Sequence, residues 1–367
     1  MIVFAYLVVI LYLLMMLGFF IGIIKTKEYK SKKHLFTTSF TIIIPVKNDI
    51  KNLLKLLQSI NEVNYNFLLL EVIVVDDFSD EEIYLPNYNF NVQVIKNIRT
   101  SSSPKKDAIE NTIQLAKNNW IITTDADVLV PKNWLAILND FILENSHQMV
   151  AMGVKYNTNN SFLHQFQHTE FLTLQAVTLG SFGCNFPFMC NGANFAYTKD
   201  FYKTLNGFSK NNHIASGDDV FLLQKAVKTS SEKVGFLLHK ETIATTKPEN
   251  SLKSLFYQRI RWASKSTSYI LSYAKTIGII TFMTNFLVIF LLIFSLFYKP
   301  YIQHFILLIS IKIAIDYALL ISIKTTYKTN TKYYLISAIL YPFFSCIVAI
   351  YAMVYKKYVW KGKVYSK

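Results

Sequence analysis

Paired carboxylates are the first chemistry the sequence offers. Asp76-Asp77 and Asp125-x-Asp127 each close a short apolar run, and Asp218-Asp219 follows Gly217 and opens a helical pattern from Val220 to Val227. Such acids can host a divalent metal or take a proton, and they can equally cap a turn or a helix N-terminus, where Asp is common. Arginine usage is more selective. Only three occur, Arg99, Arg259 and Arg261, against a background of lysine. A guanidinium is preferred where two oxygens of one phosphate must be gripped in a plane, so the window Gln258-Arg259-Ile260-Arg261-Trp262 favours a diphosphate ligand. Neither GxGxxG nor GxxxxGKS/T is present, which disfavours a Rossmann dehydrogenase and a P-loop NTPase. Without a backbone cradle for phosphate, carboxylates at strand ends make most sense as hosts for a metal that holds a diphosphate.

The elements that must position these groups are legible as alternating apolar runs and helical patterns. Phe40 to Val46 reads as a strand, followed by a helix from Asp49 through Ile60 with Asn48 or Asp49 at its cap. Leu68 to Val75, Val92 to Lys96 and Trp120 to Thr124 are three further strands, with a helix from Pro104 to Lys117. Strands without polar alternation, separated by helices, indicate a parallel sheet covered on both faces, so the fold class is α/β. In such sheets ligands bind outside the carboxyl ends of the strands, where the first two acid pairs fall.

Around this domain the chain is a membrane protein. It has 367 residues, of which 52% are hydrophobic and 17% charged, and a net charge of +15. A soluble protein is roughly a quarter charged. Ile2 to Ile24 carries no charge and is long enough to span; it lacks the basic start and small-residue cleavage site of a signal peptide. Lys25, Lys27, Lys30, Lys32 and Lys33 hold its end in the cytosol, leaving the N-terminus outside. Ile277 to Phe297, Ile302 to Ile323 and Tyr333 to Tyr355 are three more apolar runs. Three single crossings would carry the tail outside, yet it holds Lys356, Lys357, Lys361, Lys363 and Lys367. Either one run is interfacial or re-entrant, or the tail is an exception. Lys312 and Asp316, four apart in one run, read as a self-neutralising pair rather than a transport relay. Leu252 to Tyr273, which contains the two neighbouring arginines, reads as an amphipathic helix at the membrane surface. Nucleic-acid binding is not needed to explain the charge, because the lysines flank membrane runs where anionic lipids attract them. Cys184, Cys190 and Cys346 are too few for a disulfide framework, and their spacing fits no common zinc site.

Taken in order, IIIPVKND, VIVVDDFSDEE, PKKDAIENTI, TTDADV, NGANFAYTKDFYKTLNGF, SGDDVFLLQKA, QRIRW and a Trp-Lys-Gly ending at Val359 to Lys363 make the sequence resemble the membrane-anchored family 2 glycosyltransferases of GT-A fold. The resemblance implies an inverting enzyme. Pro45 to Asp49, with Asp76 and Asp77, would contact the uracil and ribose of a UDP-sugar, although the family more often has Glu where Asp49 stands. Lys105 would help hold the nucleotide, with Pro104 in place of the usual glycine. Asp125 would contact the nucleotide sugar, and Asp127 would ligate Mg2+ or Mn2+. Asn191, Gly192 and Asn194 would line the acceptor side. Asp219 would be the base, Asp218 replacing the family's Glu beside it. Gln258, Arg261 and Trp262 complete the QxxRW signature. Trp262 would pack on the acceptor sugar or anchor its helix at the lipid interface. His213 is a further candidate, though a lone His is more often structural.

The expected organisation is an N-terminal membrane helix (1–24), a cytosolic GT-A domain (25–250), an interfacial helix with QRIRW (251–275), three membrane helices (276–356) and a basic tail (357–367). The expected function is sugar transfer from a nucleotide-sugar donor to a lipid-linked or membrane-proximal glycan acceptor in a multi-pass cell-membrane enzyme. A processive synthase that exports its polymer, and a non-catalytic membrane scaffold, are the alternatives. Four spans are few for a polysaccharide channel, and the intact acids argue against a scaffold.

Overall fold

The structure is a computed structural model describing residues 2–32 and 34–355, and the backbone alone of 357–360 and 363–366. Lys33 of the first basic flank and Lys356, Lys361, Gly362 and Lys367 of the tail lie outside the described residues. The chain forms two compact units: a helical one (Met1–Thr26, Thr158–Phe186, Pro248–Lys367) and an α/β one (Lys27–Asn157, Pro187–Lys247).

In chain order, helix α1 (Ile2–Lys25) belongs to the helical unit. The α/β unit then contributes β1 (Phe40–Val46), α2 (Ile50–Asn61), β2 (Leu70–Asp76), β3 (Asn91–Lys96), α3 (Pro104–Leu115), β4 (Trp120–Thr123), α4 (Trp134–Glu144), β5 (Met149–Met152) and β6 (Val154–Tyr156). Helix α5 (Phe162–Gly183) returns to the helical unit. The α/β unit resumes with β7 (Phe195–Thr198), α6 (Lys199–Thr204), α7 (Asp218–Ser230), β8 (Val234–Leu237) and β9 (Ala244–Thr246). The helical unit closes with α8 (Leu252–Ser264), α9 (Ser272–Phe297), α10 (Tyr301–Tyr327), α11 (Tyr334–Val354) and the hairpin β10 (Lys357–Trp360) and β11 (Lys363–Ser366).

The main sheet has seven strands in the order β3-β2-β1-β4-β7-β5-β8. Strands β3, β2, β1 and β4 are parallel, whereas β7 runs antiparallel to both β4 and β5. All seven residues of β2 are buried, and all of β1 but the half-buried Pro45, as a strand covered on both faces requires. Each buried Ile or Val there contributes roughly 1.5–3 kcal/mol. Helix α2 covers the sheet with Leu53, Leu56, Leu57 and Ile60, a spacing that keeps one stripe on the core. Glu71 is buried in the sheet, but its carboxylate accepts from the Thr41 hydroxyl at 2.7 Å and the Lys117 amide at 3.0 Å, which holds β1 and β2 in register. This topology brings the carboxyl ends of β2, β1 and β4 and the start of β7 to one edge of the sheet.

In the helical unit α1, α9, α10 and α11 are each long and apolar enough to cross a membrane. Helix α5 packs against α1 through glycine: a Cβ added at Gly22, Gly180 or Gly183 would collide with the facing backbone. Close backbone approach of this kind is how helices associate where no water drives them together. Lys312 pairs with Asp316 at 2.6 Å, and the Tyr12 hydroxyl donates to the same carboxylate at 2.6 Å, so α1 completes the pair. The sequence reading assigned residues 158–186 to the soluble domain; the structure assembles them with the apolar helices.

Candidate active site

At that common edge of the α/β unit the structure assembles one cluster from segments far apart in sequence. The Lys105 ammonium, in the first turn of α3, lies 2.7 Å from Asp125 after β4 and 3.1 Å from Asp218 at the start of α7. Its side chain is 16% exposed. Burial opposes its charge, but Asp125, Asp218 and Asp219 outweigh that and push its pKa up, so it stays a cation. Asp218 and Asp219 take up the first turn of α7, whose N-cap Gly217 has φ of +82°, a conformation that favours glycine. The two oxygens of Asp219 accept backbone amides, one from Val220 at 2.7 Å and one from Gly192 at 2.8 Å. Gly192 is a close fit, since a Cβ there would lie 3.1 Å from the Asp218 carboxylate and 3.2 Å from the Asp219 Cβ.

Asp127 is the unbalanced member of this group. Burial, then the neighbouring Asp125 and Asp49 carboxylates, push its pKa up to about 6, against hydrogen bonds from its own amide and Thr246. Among the described residues no Lys or Arg pairs with it. Hard oxygen donors short of counter-charge suit a divalent cation. Among the described residues no group of three or more His, Cys, Asp or Glu side chains could hold a metal. A cation at Asp127 and Asp125 would therefore complete its shell from substrate and water.

Other residues singled out in the sequence have different surroundings. Asp49 is the N-cap of α2 and takes a 2.7 Å hydrogen bond from Asn52; Pro45 is half-buried near the end of β1. Asp76 is buried, bonded to Lys96 at 2.6 Å and to the Ser79 amide at 3.0 Å. Asp77 is held by the Arg99 guanidinium at 2.7 and 2.5 Å and by Asn97 at 2.8 Å. Arg99 thus clamps the end of β2. Asn191 closes its own turn by accepting from the Ala193 amide at 3.0 Å. Asn194 is fully buried: it accepts from the Trp134 indole at 3.0 Å and donates to the carbonyls of Gly153 and Thr242 at 2.9 and 2.8 Å. Both amide protons and the oxygen are used internally, so its side chain ties the sheet together. His213 is exposed, and its carbonyl accepts from the Ser102 hydroxyl at 2.7 Å.

Gln258, Arg261 and Trp262 lie on α8 of the helical unit. Gln258 donates to Glu249 at 2.9 Å and accepts from Arg259. Arg259, 4% exposed, forms a bidentate ion pair with Glu170 of α5 at 3.0 and 2.9 Å, and its guanidinium sits 4.2 Å from the Trp262 ring centre. The two arginines therefore divide: Arg259 is consumed in holding α8 to α5, and Arg261 is half-buried on the same helix.

Sequence reasoning missed Lys106. Its ammonium is 1% exposed, donates to the carbonyls of Asn211 and Ile214 at 2.6 and 2.9 Å, and lies 4.9 Å from the Phe221 ring centre. It fixes the loop that delivers Asp218 and Asp219. The only signal was its place beside Lys105 in a Lys-rich chain.

A mostly parallel sheet with acids at its carboxyl edge and an antiparallel strand beside β4 is an arrangement of GT-A type. Residues 41–206, just under half of the chain, match the family described as Glycosyl transferase family 2. No curated protein matches the sequence. Among solved structures, a mannosyltransferase from Pyrobaculum calidifontis in complex with GDP-Man and Mn2+ is 14% identical with a TM-score of 0.56, covering 95% of this chain and 96% of that one. TarS of S. aureus, residues 1–349 with UDP-GlcNAc, is 16% identical with a TM-score of 0.42 over 90% of this chain and 97% of that one.

Proposed function

We propose that the protein is an inverting glycosyltransferase that moves a sugar from a nucleotide-sugar donor, UDP-linked by the motif resemblance, to a lipid-linked or membrane-proximal glycan acceptor at the cytosolic face of the cell membrane. The observation that carries the proposal is the convergence of Lys105, Asp125, Asp127, Asp218 and Asp219 at one sheet edge of a family 2 domain.

An inverting transfer needs a base on one side of the anomeric carbon and charge stabilisation on the other. The base role falls to Asp219, the position that matches the final acid of the family motif, with Asp218 beside it 3.1 Å from the Lys105 ammonium. The Gly192 and Val220 amides fix the orientation of the Asp219 carboxylate. Lys105 supplies fixed positive charge where a diphosphate would lie. Asp127, with Asp125, would hold Mg2+ or Mn2+, which when bound neutralises charge on the departing diphosphate. On α8 of the helical unit, Trp262 is stacked on Arg259, and Arg261 and Trp262 are side chains of the types that grip phosphate and pack on sugar.

The test is a screen of radiolabelled nucleotide sugars against membranes containing the protein, with Mg2+ or Mn2+, followed by lipid extraction of the product. GDP-sugars belong in the screen because the mannosyltransferase that shares the fold was solved with GDP-Man. Labelled lipid-extractable product supports the proposal; no transfer and no donor hydrolysis from any sugar defeats it. A ladder of long chains would favour the processive synthase instead. Asp219→Asn should abolish transfer while nucleotide still binds, and an active variant removes Asp219 from the base role.

A further inference from the structure

Lys247 is a cation of the α/β unit that lies between SGDDVFLLQKA and QRIRW, outside every motif that carried the resemblance. It follows β9 directly, and two contacts bring β9 to the acid pair. Leu129 and Thr245 exchange amide hydrogen bonds at 2.7 and 2.9 Å, so the strand runs antiparallel to the segment that leaves Asp127. Thr246, the residue before Lys247, hydrogen-bonds the Asp127 side chain. The Lys247 ammonium donates to the Asn52 amide oxygen at 2.6 Å, and the same amide group donates to Asp49 at 2.7 Å. Asp49 is one of the two carboxylates whose charge acts on Asp127. By its backbone and by its side chain, Lys247 is tied to the surroundings of Asp127.

Asn52 is a poor seat for a cation. It is uncharged, and it stands in the first turn of α2, where the helix dipole disfavours positive charge. Among the described residues Lys247 has no carboxylate partner, whereas Lys105 is closed in by Asp125 and Asp218. Lys247 is exposed and carries its ammonium on a flexible four-carbon stem, so it can leave Asn52 without breaking an ion pair. A diphosphate entering here adds negative charge beside carboxylates that already repel one another. A nearby ammonium with no anion of its own is suited to offset it.

We infer that Lys247 is a second cation of the donor site: it leaves Asn52 and grips a phosphate of the bound nucleotide sugar beside Asp127. This rests on the donor reading proposed above and adds to it a residue from the end of β9.

Calorimetric titration of the full-length protein in detergent, with Mg2+ present and UDP, GDP and inorganic pyrophosphate as probes, tests the inference. Lys247→Met should weaken binding of whichever nucleoside diphosphate the wild type prefers by roughly 10–100-fold, the scale of a hydrogen bond between charged groups. Pyrophosphate should weaken by a similar factor, and Lys247→Arg, which keeps the charge, should recover most of the loss. In the transfer assay the donor KM of Lys247→Met should rise while the acceptor KM holds. The unfolding temperature should match the wild type, since the side chain is exposed. Equal binding by wild type and Lys247→Met overturns the inference and leaves the donor reading intact. A loss confined to UDP or GDP also overturns it, because the side chain would then meet base or ribose. A wild type that binds none of the three probes defeats the donor reading, and the inference with it.

Discussion

Lys105 stands at 2.7 Å from Asp125 and 3.1 Å from Asp218, so one ammonium holds together two carboxylates that would otherwise repel. Lys105→Gln removes that charge and leaves the site purely acidic. Transfer should fall by about 10²–10³-fold, the scale of losing one electrostatic stabiliser, with an unchanged circular-dichroism spectrum. Gly192→Ala tests placement rather than charge, because its new methyl would press on Asp218 and Asp219. Turnover should drop roughly 10–100-fold while the unfolding temperature holds, as misplacement by a fraction of an ångström costs rate before stability. Asp76 offers a pH readout. Burial raises its pKa, but bonds from Lys96 and Ser79 outweigh burial and leave it lowered. A carboxyl depressed on folding contributes stability above its unfolded value of about 3.9, and that contribution is lost as pH falls through the folded value. The gap in unfolding temperature between wild type and Lys96→Met should therefore be widest at neutral pH and shrink below about pH 4. A gap that does not change with pH would remove the ion pair as its cause.

At the scale of elements, the parallel half of the sheet was legible because burial on both faces forces unbroken apolar runs such as FTIIIPV and VIVV. The antiparallel half was not. MVAM, FAYT and VGFL are four residues each, too short to separate from helix or loop by pattern. Helix α5 escaped for another reason: Gln165, Gln167, His168, Thr169, Gln175, Thr178 and Ser181 are buried in it, so it does not read as apolar. Their polarity is met locally, as when Thr169 and Thr178 donate to carbonyls one turn back at 2.9 and 2.8 Å. Hydropathy counts residue types and cannot see that compensation. The α1–α5 contact makes an element-scale prediction. Gly22→Leu and Gly183→Leu should each destabilise the detergent-solubilised protein by about 1–3 kcal/mol, read as a lower unfolding temperature. Gly18→Leu, with open space at its Cβ, should not.

For the whole molecule, the candidate site was legible as acids at strand ends, and its order along the chain carried the family. The sequence could not show which of those acids were already paired. Asp77 with Arg99, Asn194 with Trp134 and Arg259 with Glu170 are internal ties between residues far apart in sequence. Metal removal tests the assembled enzyme: chelation should abolish transfer, and Mg2+ or Mn2+ added back should restore it, whereas activity that survives chelation would leave Asp127 without its proposed ligand. The bond from Tyr12 to Asp316 has a consequence for how the chain is made. Its two partners are 304 residues apart, so α1 is synthesised first and can meet α5 early, but this bond cannot form until α10 has been translated. Domains fold as they emerge, so the α/β unit can close before α1 has met α9 and α10. Completion of the helical unit is then the last step of its synthesis, and a ribosome that stops before α10 leaves Tyr12 without its carboxylate partner.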